Sequence, residues 1–160
     1  MVVSHILPKP KELHSYTDAA TMLVLLARLL AAVSGIVCFF SGRAYVSASF
    51  SRKPEDYGPL YVLLKRNVFD GPGLHALAFW LGSFYIMFAF VEFVAAAFFG
   101  DFELLVVIAI FSLFNGATAY ARLHVLDQSL YNEAAAIKAS NTQYILGALG
   151  LTLVAGTLIH

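Results

Sequence analysis

The sequence predicts an all-α integral membrane protein, a bundle of four transmembrane helices, and three observations carry that prediction. Hydrophobic residues make up 60% of the 160 residues and charged residues only 12%, against about 45–50% and 25% in ordinary soluble domains, so the apolar surplus needs lipid to cover it. Four apolar runs have the length of a bilayer crossing. The stretches between them are rich in Ser, Pro, Gly and charge, which hydrocarbon does not accept, and so return the chain to an interface. A chain of this length is expected to form one membrane domain, residues 1–160.

The first span is expected over about 19–40, with Thr17 or Asp18 placed to cap its first amides. The N-terminal MVVSHILPKPKELHSYTDAA reads neither as a cleaved signal nor as an Arg-rich transit peptide, because it lacks an apolar core and mixes Lys9 and Lys11 with Glu12 and Asp18. A long loop, 41–73, follows. Within it Leu60, Leu63, Leu64 and Val68 recur at helical spacing beside Lys65 and Arg66, which fits either an interfacial helix over 59–69 or an amphipathic helix packed on the bundle. Gly71, Pro72 and Gly73 break the chain before the second span, 74–99, long enough to cross with some tilt. Gly100 and Asp101 form a minimal turn into the third span, 104–124, so spans two and three should be an antiparallel hairpin of neighbours. A helix-prone link leads to the fourth, 144–159, close to the lower limit for crossing.

Orientation is read from basic residues. The loop side holds Arg43, Arg52, Lys53, Lys65, Arg66, Arg122 and Lys138, while the other side holds Lys9 and Lys11. The loops should therefore face the cytoplasm or a matrix-like compartment, with both termini opposite. Stripes of small residues at every fourth position, Ala27, Ala31 and Gly35 in span one and Ala148, Thr152 and Gly156 in span four, suit close helix contacts. Ten basic and ten acidic residues give a net charge of zero, which argues against nucleic acid as a partner. The lone cysteine, Cys38, rules out an intrachain disulfide or a CxxC pair and is expected to be a lipid-facing or packing residue.

Arg28 is the residue most in need of an explanation, because an arginine inside a span costs several kcal/mol unless it snorkels or is paired. At 1.5 Å per residue Arg28 lies roughly 14 Å, and Glu92 roughly 10 Å, below the terminus-side boundary, so an Arg28–Glu92 ion pair between spans one and two is expected. Such a pair either fixes helix register or lines a quinone, lipid or proton site. Asn115, beside Ser112, Gly116 and Thr118, should hydrogen-bond to another helix. On the loop side Arg43, Asp70, His75, Arg122, His124 and Asp127 are expected to converge as an interfacial polar cluster, with His75, His124 and Asp127 its candidate catalytic groups. His75 and His124 lack ligand spacing, and no metal site is expected from them; His5, His14 and His160 carry no pattern. Nucleophile elbows, phosphate loops and dinucleotide fingerprints are absent from the sequence.

The segments LLARLLAAVSGIVCFFSG and FAFVEFVAAAFFGDFELLVVIAIFSLFNGATAYARL resemble the DoxX-like four-helix membrane proteins, with Arg28, Gly35, Gly42, Glu92 and Gly100 in the family's places. The resemblance spans about two thirds of the chain and lacks the family's longer glycine run after the glutamate. It implies a four-helix fold and a likeness to small subunits of quinol or thiosulfate:quinone oxidoreductases, but a shared fold does not transfer a reaction. Two functions are then expected to compete. The first is a non-catalytic accessory subunit of a larger membrane complex, of the electron-transport kind, contacting lipids and other subunits without a cofactor of its own. The second is a small membrane enzyme or a lipid- or quinone-binding protein using the loop-side pocket.

Overall fold

The structure, a computed structural model, describes residues 10–159; the side chains of residues 10–18, 20, 59, 70 and 72 lie outside that description. Among the described residues there are five helices: α1 (Pro10–Ser51), α2 (Pro59–Leu63), α3 (Pro72–Phe98), α4 (Asp101–His124) and α5 (Glu133–Ile159). All but α2 are long and apolar enough to cross a membrane, the crossing part of α1 beginning at Thr21. They form the expected all-α four-helix bundle, a multi-pass membrane architecture.

Helix α1 continues well past residue 40, where the long loop was expected to begin. Residues 41–51 hold because Tyr45 and Ala48 are buried on the same face as the stripe before them. The serines there do not disturb the helix: Ser49 donates to the carbonyl of Val46 at 2.6 Å and Ser51 to that of Ala48 at 3.3 Å, so their hydroxyls are satisfied locally. Arg52, at φ 57°, ends the helix in the left-handed conformation, and Pro54 then opens a short 3₁₀ turn, Pro54–Tyr57. The loop proper is thus 52–71.

The helix expected over 59–69 is broken. After α2, Leu64 pairs with Tyr131 as an isolated antiparallel bridge. Lys65 N–H donates to the carbonyl of Leu130, and Asn132 N–H to that of Leu63, both at 2.9 Å. Satisfying the backbone of the two connections against each other outweighs continuing an amphipathic helix, and the chain resumes only as a 3₁₀ turn, Arg66–Asp70. Helix α5 likewise begins at Glu133, eleven residues before the fourth span was expected, because Ala134, Ala135, Ala136 and Ala139 favour helix and its polar side chains find partners on α4.

Two tight antiparallel seams organise the bundle. Along α1–α3, a Cβ placed on Gly42 would lie 2.6 Å from the carbonyl oxygen of Gly82, and one on Gly82 would lie 2.7 Å from that of Gly42. Along α4–α5, a Cβ on Gly147 would lie 2.9 Å from the carbonyl of Ser112, and one on Gly150 would fall on the Ser112 hydroxyl. Spans two and three are joined by the short Phe99–Gly100 turn, yet α3 and α4 approach closely over few residues, with Phe88 and Phe114 stacked between them at 6.2 Å. Turn length sets direction here, whereas side-chain size sets proximity. At the terminus side Ala27 and Ala31 meet Ala95, Leu104 and Ile108, with Val154 from α5 packed against them. Gly156 faces Leu23, so the last turns of α5 lie level with the start of the crossing part of α1. On the loop side Ala48 and Ala78 pack with Tyr57 and Phe69.

Candidate functional site

The Arg28–Glu92 pair does not form. The Arg28 guanidinium donates to the carbonyls of Ala96 at 2.9 Å and Phe99 at 3.0 Å, and its ion pair is with Asp101 at 3.1 Å. The last carbonyls of α3 have no partner within the helix and carry the negative end of its dipole, so a cation there satisfies backbone and charge together. Equal depth was the flaw in the expectation. Gly35 lies against Phe93 and Ala89, which puts Glu92 level with Ser34, about 9 Å along α1 from Arg28 by helical rise. Arg28 instead lies level with the α3–α4 turn.

Glu92 is 1% exposed. Its Oε1 accepts a hydrogen bond from Ser34 Oγ at 2.6 Å, and its Oε2 has no hydrogen-bond partner. Cys38, buried one turn beyond Ser34, interacts electrostatically with the same carboxyl. Towards the loop side the polar groups continue: Tyr85 on α3 interacts with Cys38, and the Tyr85 and Tyr45 rings meet edge to face at 5.7 Å. Arg122 is buried between α4 and α5, donating to Gln143 Oε1 at 2.8 Å and Ser140 Oγ at 3.3 Å. A column of polar side chains thus runs through the bundle from Glu92 to Arg122.

Among the described residues, the expected interfacial cluster does not converge. Arg43 is exposed beside a shallow depression with Phe40, Ser47 and Asp56. His75 bonds the hydroxyl of Tyr57 through Nδ1. His124 is exposed against the ring of Tyr120 at 4.9 Å. The Asp70 side chain lies outside the described residues, as do those of His5, His14, His160, Thr17 and Asp18. Asp127 accepts from the Ser129 backbone at 2.8 Å, a bond that holds its carboxyl below the usual carboxylate range. As an acid–base partner for His75 it is therefore misplaced: among the described residues no hydrogen bond or ion pair joins the two. His75, Arg122 and Asp127 instead each close a separate turn or seam, which charge and depth along the chain do not reveal. Nor do the described residues hold a group of His, Cys, Asp and Glu suited to a metal.

Asn115 is buried but bonds the carbonyl of Phe111 at 3.0 Å in its own helix rather than another one. The open groove on the loop side, about 690 Å³, is lined by residues other than the expected cluster, among them Tyr61, Lys65, Arg66, Gln128, Tyr131 and Glu133. It follows from the bridge between the two connections, which pairs segments far apart in sequence. The column, in contrast, had a readable signal. Extending the stripe from Ala27 and Ala31 by steps of three and four reaches Ser34, Cys38, Gly42, Tyr45 and Ala48, all buried.

No protein-family model, no curated protein and no solved structure matches this chain. The likeness to the DoxX-like proteins is one of residue pattern. The Arg28 and Glu92 that carry it occupy separate sites.

Proposed function

We propose that this chain is a non-catalytic accessory subunit of a larger membrane complex, joined to it through the outward face of α5. The observation that supports this reading is how the two small-residue stripes are used. In α1, Ala27 and Ala31 are buried and Gly35 lies against α3, so that stripe is consumed within the bundle. In α5 the stripe divides: Gly156 lies against Leu23 of α1, whereas Ala148 and Thr152, with Ala155 beside them, face outward. Lipid gains nothing from small residues on a helix surface, whereas the backbone of an apolar helix from another subunit can approach them closely. The dispersal of the loop-side cluster weighs against the enzyme reading. The electron-transport setting rests on the family resemblance alone. In the membrane, the basic loop side is proposed to face the cytoplasm or matrix-like compartment.

The test is native electrophoresis after mild detergent extraction, comparing the natural chain with an Ala148→Leu, Thr152→Leu double variant. The natural chain should migrate in a complex far above its own 17.4 kDa. The variant, whose two positions touch nothing in the bundle interior, should leave that complex while keeping its helical circular dichroism. Migration of the natural chain alone, or a variant that stays bound, overturns the reading. In the first case the groove beside Lys65 and Arg66 becomes the place to seek a lipid-like ligand.

A further inference from the structure

Among the described ionisable side chains of the spans, Glu92 is fully enclosed and faces no cation. Arg28 is occupied at the end of α3. From α1 the carboxyl meets Ser34 and Cys38, and on its own helix the next polar group is Tyr85, two turns towards the loop side. The buried residues that α4 and α5 contribute to that half of the bundle, Leu104, Leu105, Ile108, Ser112, Gly150 and Leu153, do not ionise. An unpaired carboxylate in such surroundings costs several kcal/mol, and the neutral acid much less. The two oxygens are also unequal: Oε1 accepts from the Ser34 hydroxyl, the role of a carbonyl oxygen, and Oε2 is left for the proton.

We propose that Glu92 is a reversible proton-binding site inside the bundle, reached from the loop side along the column of Cys38, Tyr85, Tyr45 and Arg122. One proton enters from the loop-side water, resides on Oε2 and returns by the same route; no electron and no other atom moves. The Cys38 thiol and the two phenols serve as carriers, each giving its proton inward as it receives one from outside, so that no thiolate or phenolate is left in the apolar interior. Arg122 keeps its own proton throughout, held by Gln143 and Ser140. Access is one-sided, because on the terminus side of Glu92 the interior is closed by Ala27, Ala31, Ala95 and Leu104.

Infrared spectroscopy of the purified protein in lipid vesicles tests this directly. At neutral pH exposed carboxyls are ionised, so a carbonyl-stretch band of a protonated carboxyl should be present, should vanish in Glu92→Gln and should fade as the pH is raised with the helical signal intact. In heavy water that band should shift promptly in the natural chain. In a Tyr45→Phe, Tyr85→Phe double variant the shift should be slower by about tenfold or more, with the band itself unchanged. A natural chain without the band, a band untouched by Glu92→Gln, or one that persists at every pH the fold survives overturns the site. Equal exchange in the double variant overturns the route.

Discussion

Along the α1–α3 seam each helix contributes one glycine, Gly42 and Gly82, and each lies against the other's backbone, whereas along α4–α5 one helix supplies Gly147 and Gly150 and the other answers with Ser112. Their polar contents differ in the same orderly way. The first seam buries an acid, Glu92, with a hydroxyl for a partner, and the second buries a cation, Arg122, with an amide and a hydroxyl. Neither seam uses a buried ion pair, whose desolvation often cancels its attraction. What distinguishes Gly42 from Gly150 is tolerance, Gly147 being pressed on the Ser112 carbonyl much as Gly42 is on that of Gly82. Backbone pressed on backbone cannot give way, but a serine side chain can turn aside.

The largest expected effect follows from that difference. Gly42→Leu should abolish the folded bundle, and even Gly42→Ala should cost about 1–3 kcal/mol, since its Cβ would meet the Gly82 carbonyl and the Ile86 amide. Truncating the neighbouring side chain, Ile86→Ala, should not rescue it. Gly150→Ala should also destabilise, because its Cβ falls on the Ser112 hydroxyl, yet adding Ser112→Ala should restore most of the loss. Thermal unfolding in detergent, followed by circular dichroism, compares these five variants with the natural chain. Rescue in the first seam, or its failure in the second, would break the distinction.

The fold was legible because membrane crossing is written in composition and run length, which the apolar stretches from Ala19 to Phe40 and Leu74 to Phe99 supply outright. Their boundaries were less so. Ser49 and Ser51 look like loop residues until their back-bonds and the burial of Tyr45 and Ala48 are known. For the site, one-dimensional depth misled: counting Arg28 from residue 19 and Glu92 from residue 99 makes them level, whereas the contacts put Arg28 level with Phe99 itself. A carbonyl acceptor leaves no mark in the sequence, so Ala96 and Phe99 could not be named as the partners of Arg28.

That correction sharpens where the two halves join, since Arg28 ties α1 to the turn between α3 and α4. Its carbonyl bonds and its ion pair differ in weight. Asp101 is 64% exposed, so the pair contributes little, and Asp101→Asn should change stability by no more than about 1 kcal/mol. Arg28→Leu forfeits two charge-assisted bonds to carbonyls and should cost about 1.5–3 kcal/mol. Combining it with Glu92→Leu should give no recovery, because the two groups do not touch. Unfolding measurements on the single and double variants decide; recovery in the double variant would revive the direct pair.

The smallest effect concerns how each seam is closed on the loop side. The α4–α5 seam is closed by Gln128, whose side-chain amide donates to the carbonyl of Arg122 at 2.7 Å, a contact that does not titrate near neutrality. The α1–α3 seam is closed by Tyr57, buried against Phe69 at 5.3 Å and bonded to His75. Burial raises the Tyr57 phenol above its ordinary 10.0, with Arg52 opposing weakly. The neutral form is the one the fold prefers, so this closure contributes fully below the ordinary tyrosine pKa and is lost as the pH rises through the raised value. Tyr57→Phe keeps the ring and removes the hydroxyl, at a cost of about 1 kcal/mol or less at neutral pH. In alkaline titration, proteolytic nicking of residues 52–71 should increase for the natural chain together with a tyrosinate absorbance that Tyr57→Phe lacks, and the variant's nicking should stay flat. An equal rise in both chains would assign the loosening to another group and leave the two closures alike in their response to pH.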